Sequence, residues 1–376
     1  MKRHRQRRQW IAAGVLSLLV GVGTFIACDG TIYDDLSADC PGCATYSVRF
    51  SYTRNVLYAD AFAHYVKQVT LCAFDDNGLL VYTQTADSAS LADNDQSMDV
   101  EDMPRGTYTL LAWAEGDEAT DLSTGSTIDC YEYASLVVGQ TTLDECTARL
   151  QRTNNTVDHN LTPLFHGLVE NADLEERERG DDALVDMDLT CDTNHLVVVL
   201  MDYNGGSLDV DDFDFSVTSD NGLLDYDNSV VSEAEITYLP WIESDSLLYD
   251  DDTSAGLRTR ASLSAAKAEL TLNRLTTDVD TRLHVYNANT GDEVLSIPLV
   301  DFVLYIREYY SSSSDQDYLD RQSSFTMTFF LINNSDSSGD SGSDDGDGDG
   351  DGDSFSWMDA YIYINSWVVH LQDISL

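Results

Sequence analysis

Val185-Asp186-Met187-Asp188-Leu189-Thr190-Cys191 sets apolar and polar residues in strict alternation. Successive side chains of a strand point to opposite faces, so this segment offers one buried face and one acidic face. The same period of two recurs on either side of it. Toward the N-terminus, Val48, Phe50 and Tyr52 alternate with Ser47, Arg49 and Ser51. Val69 to Phe74 and Leu79 to Tyr82 flank Asp75-Asp76-Asn77-Gly78, whose Asn-Gly pair tolerates positive φ and marks a tight hairpin. Met98 to Met103 and Thr107 to Trp113 flank a further turn at Pro104-Arg105-Gly106.

Toward the C-terminus, His195 to Met201 opens a second set. Phe213, Phe215 and Val217 alternate with Asp214 and Ser216 ahead of a turn at Asn221-Gly222. Ala268, Leu270 and Leu272 alternate with Glu269 and Thr271, and Leu283 and Val285 precede a turn at Thr290-Gly291. Phe325, Met327 and Phe329 follow the same rule, and the chain ends on Trp367, Val369 and Leu371 interleaved with Val368 and His370. Helical periodicity is scarce. Its best case is Tyr58 to Val66, where Tyr58, Phe62 and Val66 share a face and Ala59, Ala61 and Ala63 favour helix. Strands of this length and spacing indicate an all-β chain of sandwiches rather than α/β units. Two are expected in tandem, an N-terminal β-sandwich over 45–191 and a C-terminal one over 192–376, exchanging near Cys191 to Asn194.

The first 28 residues read as a lipoprotein export signal. Lys2, Arg3, Arg5, Arg7 and Arg8 form a cationic start, and Ile11 to Ala27 is an uncharged, mostly apolar run. It closes on Phe25-Ile26-Ala27-Cys28, with a small residue before the cut and a thiol to take a diacylglyceryl group. Several acyl chains anchor stably where one binds only reversibly. The competing interpretation, a transmembrane span, fits poorly because the run is short and Cys28 stands at its end before polar Asp29 and Gly30. Residues 1–27 are thus expected to be a signal peptide, Cys28 the lipid attachment site, and 28–44 a linker. The expected location is the outer membrane, lipid-anchored and surface-exposed.

The signal holds five of the 20 basic residues and none of the 67 acidic ones, so the mature chain carries 15 bases against 67 acids, a net of −52. Such a surface repels a polyanion, and nucleic acid is excluded as a partner. Anionic headgroups are disfavoured too, which leaves the membrane link to the acyl chains on Cys28.

Beyond Cys28 there are Cys40, Cys43, Cys72, Cys130, Cys146 and Cys191, an even count that permits up to three disulfides. Cys130 and Cys146, flanking a short segment that opens with Tyr131 and Tyr133, are the pair expected to bridge. Cys40-Pro41-Gly42-Cys43 imitates a redox motif, but no helix follows to depress a thiol pKa.

Between Asn333 and Ser354 the chain degenerates into Ser, Gly and Asp, ending in Asp345-Gly346-Asp347-Gly348-Asp349-Gly350-Asp351-Gly352-Asp353. It is read as a disordered acidic loop at 333–354 between two strands. Asp345, Asp347, Asp349 and Gly350 match the start of a looped calcium site. The twelfth position, however, is Ser356 rather than Glu, which favours loose collection of cations. Gly339-Asp340-Ser341-Gly342-Ser343 resembles a protease nucleophile signature, but lies where no scaffold can hold a serine against a base. The histidines of the mature chain are scattered, and His166, after Leu164-Phe165, is most simply a packed histidine. No residue set points to a catalytic, cofactor-binding or metal-binding role, so the chain is not expected to be an enzyme.

Taken jointly, several motifs resemble the FimB-type fimbrial anchor lipoproteins of type V pili, found in Gram-negative gut and oral anaerobes. They begin at Cys28-Asp29-Gly30-Thr31-Ile32-Tyr33-Asp34-Asp35-Leu36 and continue through Val48-Arg49-Phe50 and Tyr58-Ala59-Asp60-Ala61-Phe62. Val69-Thr70-Leu71, Phe74-Asp75, Gly106-Thr107-Tyr108, Leu111-Ala112-Trp113 and Leu164-Phe165-His166-Gly167 follow. The second half is looser, with Ile297-Pro298-Leu299 and the stretch from Trp367 to Leu376. The resemblance implies two transthyretin-like sandwiches that hold or terminate a pilus at the outer membrane. Its partners would be pilin subunits, engaged by strand exchange, with palmitate-type acylation at Cys28. Cys43 and the acidic loop depart from the pattern. Two alternatives compete: a surface glycan-binding lipoprotein using Trp113, Trp241 or Trp357 as aromatic platforms, and a lipid-anchored hydrolase built on two close carboxylates.

Overall fold

The computed structural model describes residues 46–100, 103–104, 106–174, 183–249, 262–307, 314–333, 355–364 and 367–371. Its architecture is all-β. In the N-terminal half, a three-stranded sheet has the order Ala183–Asp188, Tyr46–Ser51, Ser97–Val100. It faces a five-stranded sheet of order Thr190–Cys191, Leu164–Asp173, Thr107–Glu115, Gln68–Phe74, Leu80–Asp87. In the C-terminal half, a six-stranded sheet runs Ile242–Tyr249, Ser262–Leu272, Asn194–Asp202, Ser324–Asn333, Phe355–Ile364, Trp367–Leu371. Its partner is a five-stranded sheet of Glu293–Pro298, Arg282–Asn287, Phe213–Ser219, Ile236–Tyr238 and Thr156–Val157.

Alternation explains which faces meet. Tyr46, Val48 and Phe50 point inward with Met98, Val100 and Met187 against Val69, Leu71, Leu110, Ala112 and Phe165. In the second half, Leu196, Val198, Leu200, Phe325, Met327 and Phe329 pack against Phe213, Phe215, Val217, Leu283 and Val285. Burying each such side chain contributes roughly 1.5–3 kcal/mol. The Asp75–Gly78 turn forms as read: Gly78 takes φ +72°, and Asp75 Oδ1 accepts from the N–H groups of Asn77 and Leu79, each at 2.9 Å. The Thr290-Gly291 turn likewise closes a hairpin, with Gly291 at φ +76°. The strands on either side of Pro104 to Gly106, by contrast, enter different sheets.

The first five-stranded sheet is buried on both faces. Cys72, Phe74, Leu111 and Trp113 face a cover built from Cys130, Tyr131, Ala148, Leu150 and Leu161. That accounts for the continuous apolar run Leu110 to Ala114, which a half-exposed strand would not carry. Two pairings cross the point where the strand sets exchange: Arg149 faces Leu223, and Thr156–Val157 runs parallel to Thr237-Tyr238.

The helix expected over Tyr58 to Val66 shrinks to a single turn, Phe62–Tyr65. Asp60 Oδ1 accepts from Tyr52 N at 2.9 Å and Phe62 N at 3.0 Å, pinning the preceding loop to a strand end. Tyr58 therefore lies outside any helix, at φ +50° and 69% exposed. Three described helices escaped the sequence reading, Ser88–Asp93, Leu299–Arg307 and Asp315–Arg321. The last of them carries a legible start: Ser314 caps it by accepting from Asp317 N at 3.2 Å, with Asp315 and Asp317 in the first turn.

The acidic stretch 334–354 lies outside the described residues, but the strands on either side of it pair in antiparallel register, Asn333 opposite Phe355. Its ends are thus held side by side. Deleting Ser335 to Asp353 and rejoining by a short turn is expected to leave the melting temperature unchanged or slightly raised, because closure entropy grows slowly with loop length. Calorimetry in calcium-free buffer checks this, and a steep fall would mean that the stretch contributes to the folded state.

Candidate functional site

Two features of the fold stand apart from its cores: the outermost described strand of the six-stranded sheet and a buried polar joint between the two strand sets. The strand is the terminal one. Among the described residues, Trp367–Leu371 pairs with Phe355–Ile364 alone, Ile364 opposite Trp367 and Ala360 opposite Leu371. Among the described strands it stands last in the six-stranded sheet, a position whose outer row of main-chain groups suits a further strand.

The joint is polar and buried. Asp192 follows Cys191, where the chain leaves the first sandwich, and is wholly inaccessible. Its Oδ1 accepts from Asn228 Nδ2 at 2.9 Å, while the nearest guanidinium nitrogen of Arg274 is 3.7 Å away. Arg274 donates to Asn228 O at 2.6 Å and to Asp320 Oδ1 at 2.7 Å, and Gln316 Nε2 gives Asp320 a second bond at 2.8 Å. From the N-terminal half, Arg54 reaches to 3.7 Å from both Asp317 and Asp320. Arg321 lies 4.8 Å from the Tyr58 ring centroid. A loop of the first half is thus clamped to a helix of the second through charges.

Burial pushes the Asp192 carboxyl up to about 7, outweighing the nearby Arg274. A raised folded-state pKa means that this group's contribution to stability is full below the unfolded value near 4 and is lost as pH rises through about 7. Asp192→Asn resembles the protonated form at every pH. The variant is therefore expected to gain on the native protein as pH rises from 4 to 8, by at most ~1.4 kcal/mol per pH unit. Urea titrations at several pH values measure the difference; parallel curves would contradict it.

Cys28, Cys40 and Cys43 lie outside the described residues, as does Gly339 to Ser343. The expected Cys130–Cys146 bridge does not form: Cys72, Cys130, Cys146 and Cys191 are free thiols. Their neighbours explain why. Cys130 Sγ accepts from Thr162 N at 3.3 Å, whereas Cys146 Sγ lies 3.5 Å from Thr142 O. Burial pushes Cys72 up to about 11 and Cys146 to about 12, so neither thiol is primed to react. His166 is the packed histidine anticipated. Its Nε2 is 2.8 Å from Tyr226 O, and burial lowers its pKa to about 4. Trp113 is no open platform either: it is 8% exposed, and its N–H donates to Cys146 O at 3.2 Å. Trp241 is half-buried, and the side chain of Trp357 is outside the described set. Sequence reasoning missed the joint, because its polar residues carry no periodic signature.

A family model for the fimbrillin-A-associated anchor proteins Mfa1 and Mfa2 matches residues 36–373. The chain belongs to this family of fimbrial anchors. The anchor resemblance seen in the sequence thus holds, and the family is one of anchors rather than of enzymes. Among solved structures, a Bacteroides thetaiotaomicron protein described as a polysaccharide-binding candidate is 25% identical, with a TM-score of 0.67 over 88% of this chain and 99% of its own. A second protein from that organism, described as a candidate adhesin, is 28% identical with a TM-score of 0.66 over the same shares. The fimbrial anchor protein Mfa2 from Porphyromonas gingivalis, 18% identical, shares the fold with a TM-score of 0.58 over 87% of this chain and 99% of its own. No curated protein sequence matches the chain. A role in association with fimbriae at the cell surface follows from the family. Among the described residues, no helix is long and apolar enough to cross a membrane.

Proposed function

We propose that this anchor holds or terminates a type V fimbria at the outer membrane, tethered by acyl chains on Cys28 and surface-exposed. Residues 1–27 serve as its signal peptide and 28–44 as a tether ahead of the tandem sandwiches 45–191 and 192–376. It engages pilins by strand exchange, and the observation that carries this is Trp367–Leu371, the last of the described strands in the six-stranded sheet. Main-chain bonds along such an edge supply affinity, and alternate side chains set register.

Trp367, Val369 and Leu371 share one face by alternation. Val369→Asp and Leu371→Asp each place a charge on that apolar face, which is costly to bury without a partner. Capture of the purified pilin is expected to fall by at least about tenfold in each variant, with circular dichroism unchanged. Undiminished capture by correctly folded variants would mean that pilins engage elsewhere.

A further inference from the structure

We propose that a second site lies in the C-terminal half: a cleft of about 610 Å³ that takes one lysine or arginine side chain presented by a partner polypeptide. It opens between the ends of the strands around Thr218 and Arg282, the turn 220–235 and the start of the Asp315–Arg321 helix. Five carboxylates and two guanidiniums line it. The guanidiniums are already matched: Arg274 bonds Asp320 and Asn228 on its inner side, and Arg282 sits 3.9 Å from Asp280. What remains toward the opening is an excess of negative charge. Asp227 contributes to it at neutral pH, because hydrogen bonds from Ser229 hold its carboxyl below the usual range.

Acidity alone is no evidence on a chain this anionic. The distinguishing observation is on the floor, where Asn228 Oδ1 and Thr276 Oγ1 are buried without hydrogen-bond partners. Asn228 is 7% and Thr276 is 8% exposed. The Asn228 amide cannot turn to relieve this, since its Nδ2 is committed to Asp192 Oδ1 at 2.9 Å. One fixed acceptor, the Asn228 amide oxygen, and a Thr276 hydroxyl free to accept beside it lie beneath a carboxylate rim, an arrangement that suits a multiple donor with positive charge such as an ammonium or a guanidinium. A third atom without a partner, Arg274 Nε, is a donor. A main-chain carbonyl of the segment bearing the basic residue satisfies it, which favours a peptide over a free amine. A compact dication fits less well. No three His, Cys, Asp or Glu side chains among the described residues converge for a metal, and two guanidiniums stand in the wall.

The test uses the full chain in detergent micelles with labelled valine methyls, because Val230 and Val279 line the cleft. The probes are acetylated and amidated Gly-Lys-Gly and Gly-Arg-Gly, the norleucine tripeptide as an uncharged control, and calcium chloride. Both basic tripeptides should shift the two methyl signals saturably at low salt, the norleucine peptide should not, and added salt should weaken binding. Thr276→Val and Asp227→Asn should each weaken the basic peptides about tenfold. Thr276→Val removes an unsatisfied group, so a melting temperature held or raised shows that this variant folds. Absence of saturable shifts, equal shifts from norleucine, unchanged affinity in both folded variants, or saturation by calcium with no peptide effect would each overturn the proposal.

Discussion

Arg274→Met is expected to destabilise the protein by about 3–5 kcal/mol, the usual cost of removing one partner from a buried ionic network. Arg274 is 9% exposed and bonds Asp320 and the main chain of Asn228, with Asp192 just beyond hydrogen-bond reach. Without it, Asp320 keeps, among the described residues, Gln316 and the more distant Arg54, both at the same joint. Methionine fills much of the volume, so the loss reports charge rather than a cavity. Asp320→Asn in the same background should restore part of the stability, since it removes the orphaned charge. Urea titration of the two single variants and the double variant measures the coupling. If the effects simply add, the pair is not the clamp described. The joint links a loop of the first strand set to a helix of the second.

How much of this was legible in the sequence depended on periodicity. Val48 and Phe50, or Phe325 and Met327, declare their strands because each faces a core on one side only. Asn77-Gly78 and Thr290-Gly291 declare their turns because a left-handed φ needs glycine. The helix over Tyr58 to Val66 failed because the Asp60 side chain, invisible to a face-counting argument, ties the segment to Tyr52. The bridge between Cys130 and Cys146 failed because closeness in sequence says nothing of which backbone each thiol meets. The joint was out of reach for a different reason. Asp192 is one of 67 acidic residues, and nothing local separates a carboxylate with no exposure from one on a solvated strand face. Only the meeting of segments distant in sequence, Arg54, Asn228, Arg274 and Asp320, makes it special.

The second large effect concerns Cys28, the one thiol at the close of the apolar run Ile11 to Ala27. Under the proposed acylation, multiple acyl chains, at ~0.8 kcal/mol per buried CH₂, would hold the protein where a mature chain of 15 bases against 67 acids has no attraction to an anionic surface. Cys28→Ala should therefore abolish labelling by an alkyne fatty acid and release the protein from the envelope. Because the sandwiches begin well beyond Cys28, the released protein should keep its melting temperature and its affinity for pilin. Its pili should leave with it. The decisive measurement is the partition of pilin between cells and culture medium in a strain whose only copy carries Cys28→Ala. Most of the pilin is expected in the medium as intact fibres bearing the variant at one end. Pili of native length still held on cells, while the variant itself is found free in the medium, would contradict the account.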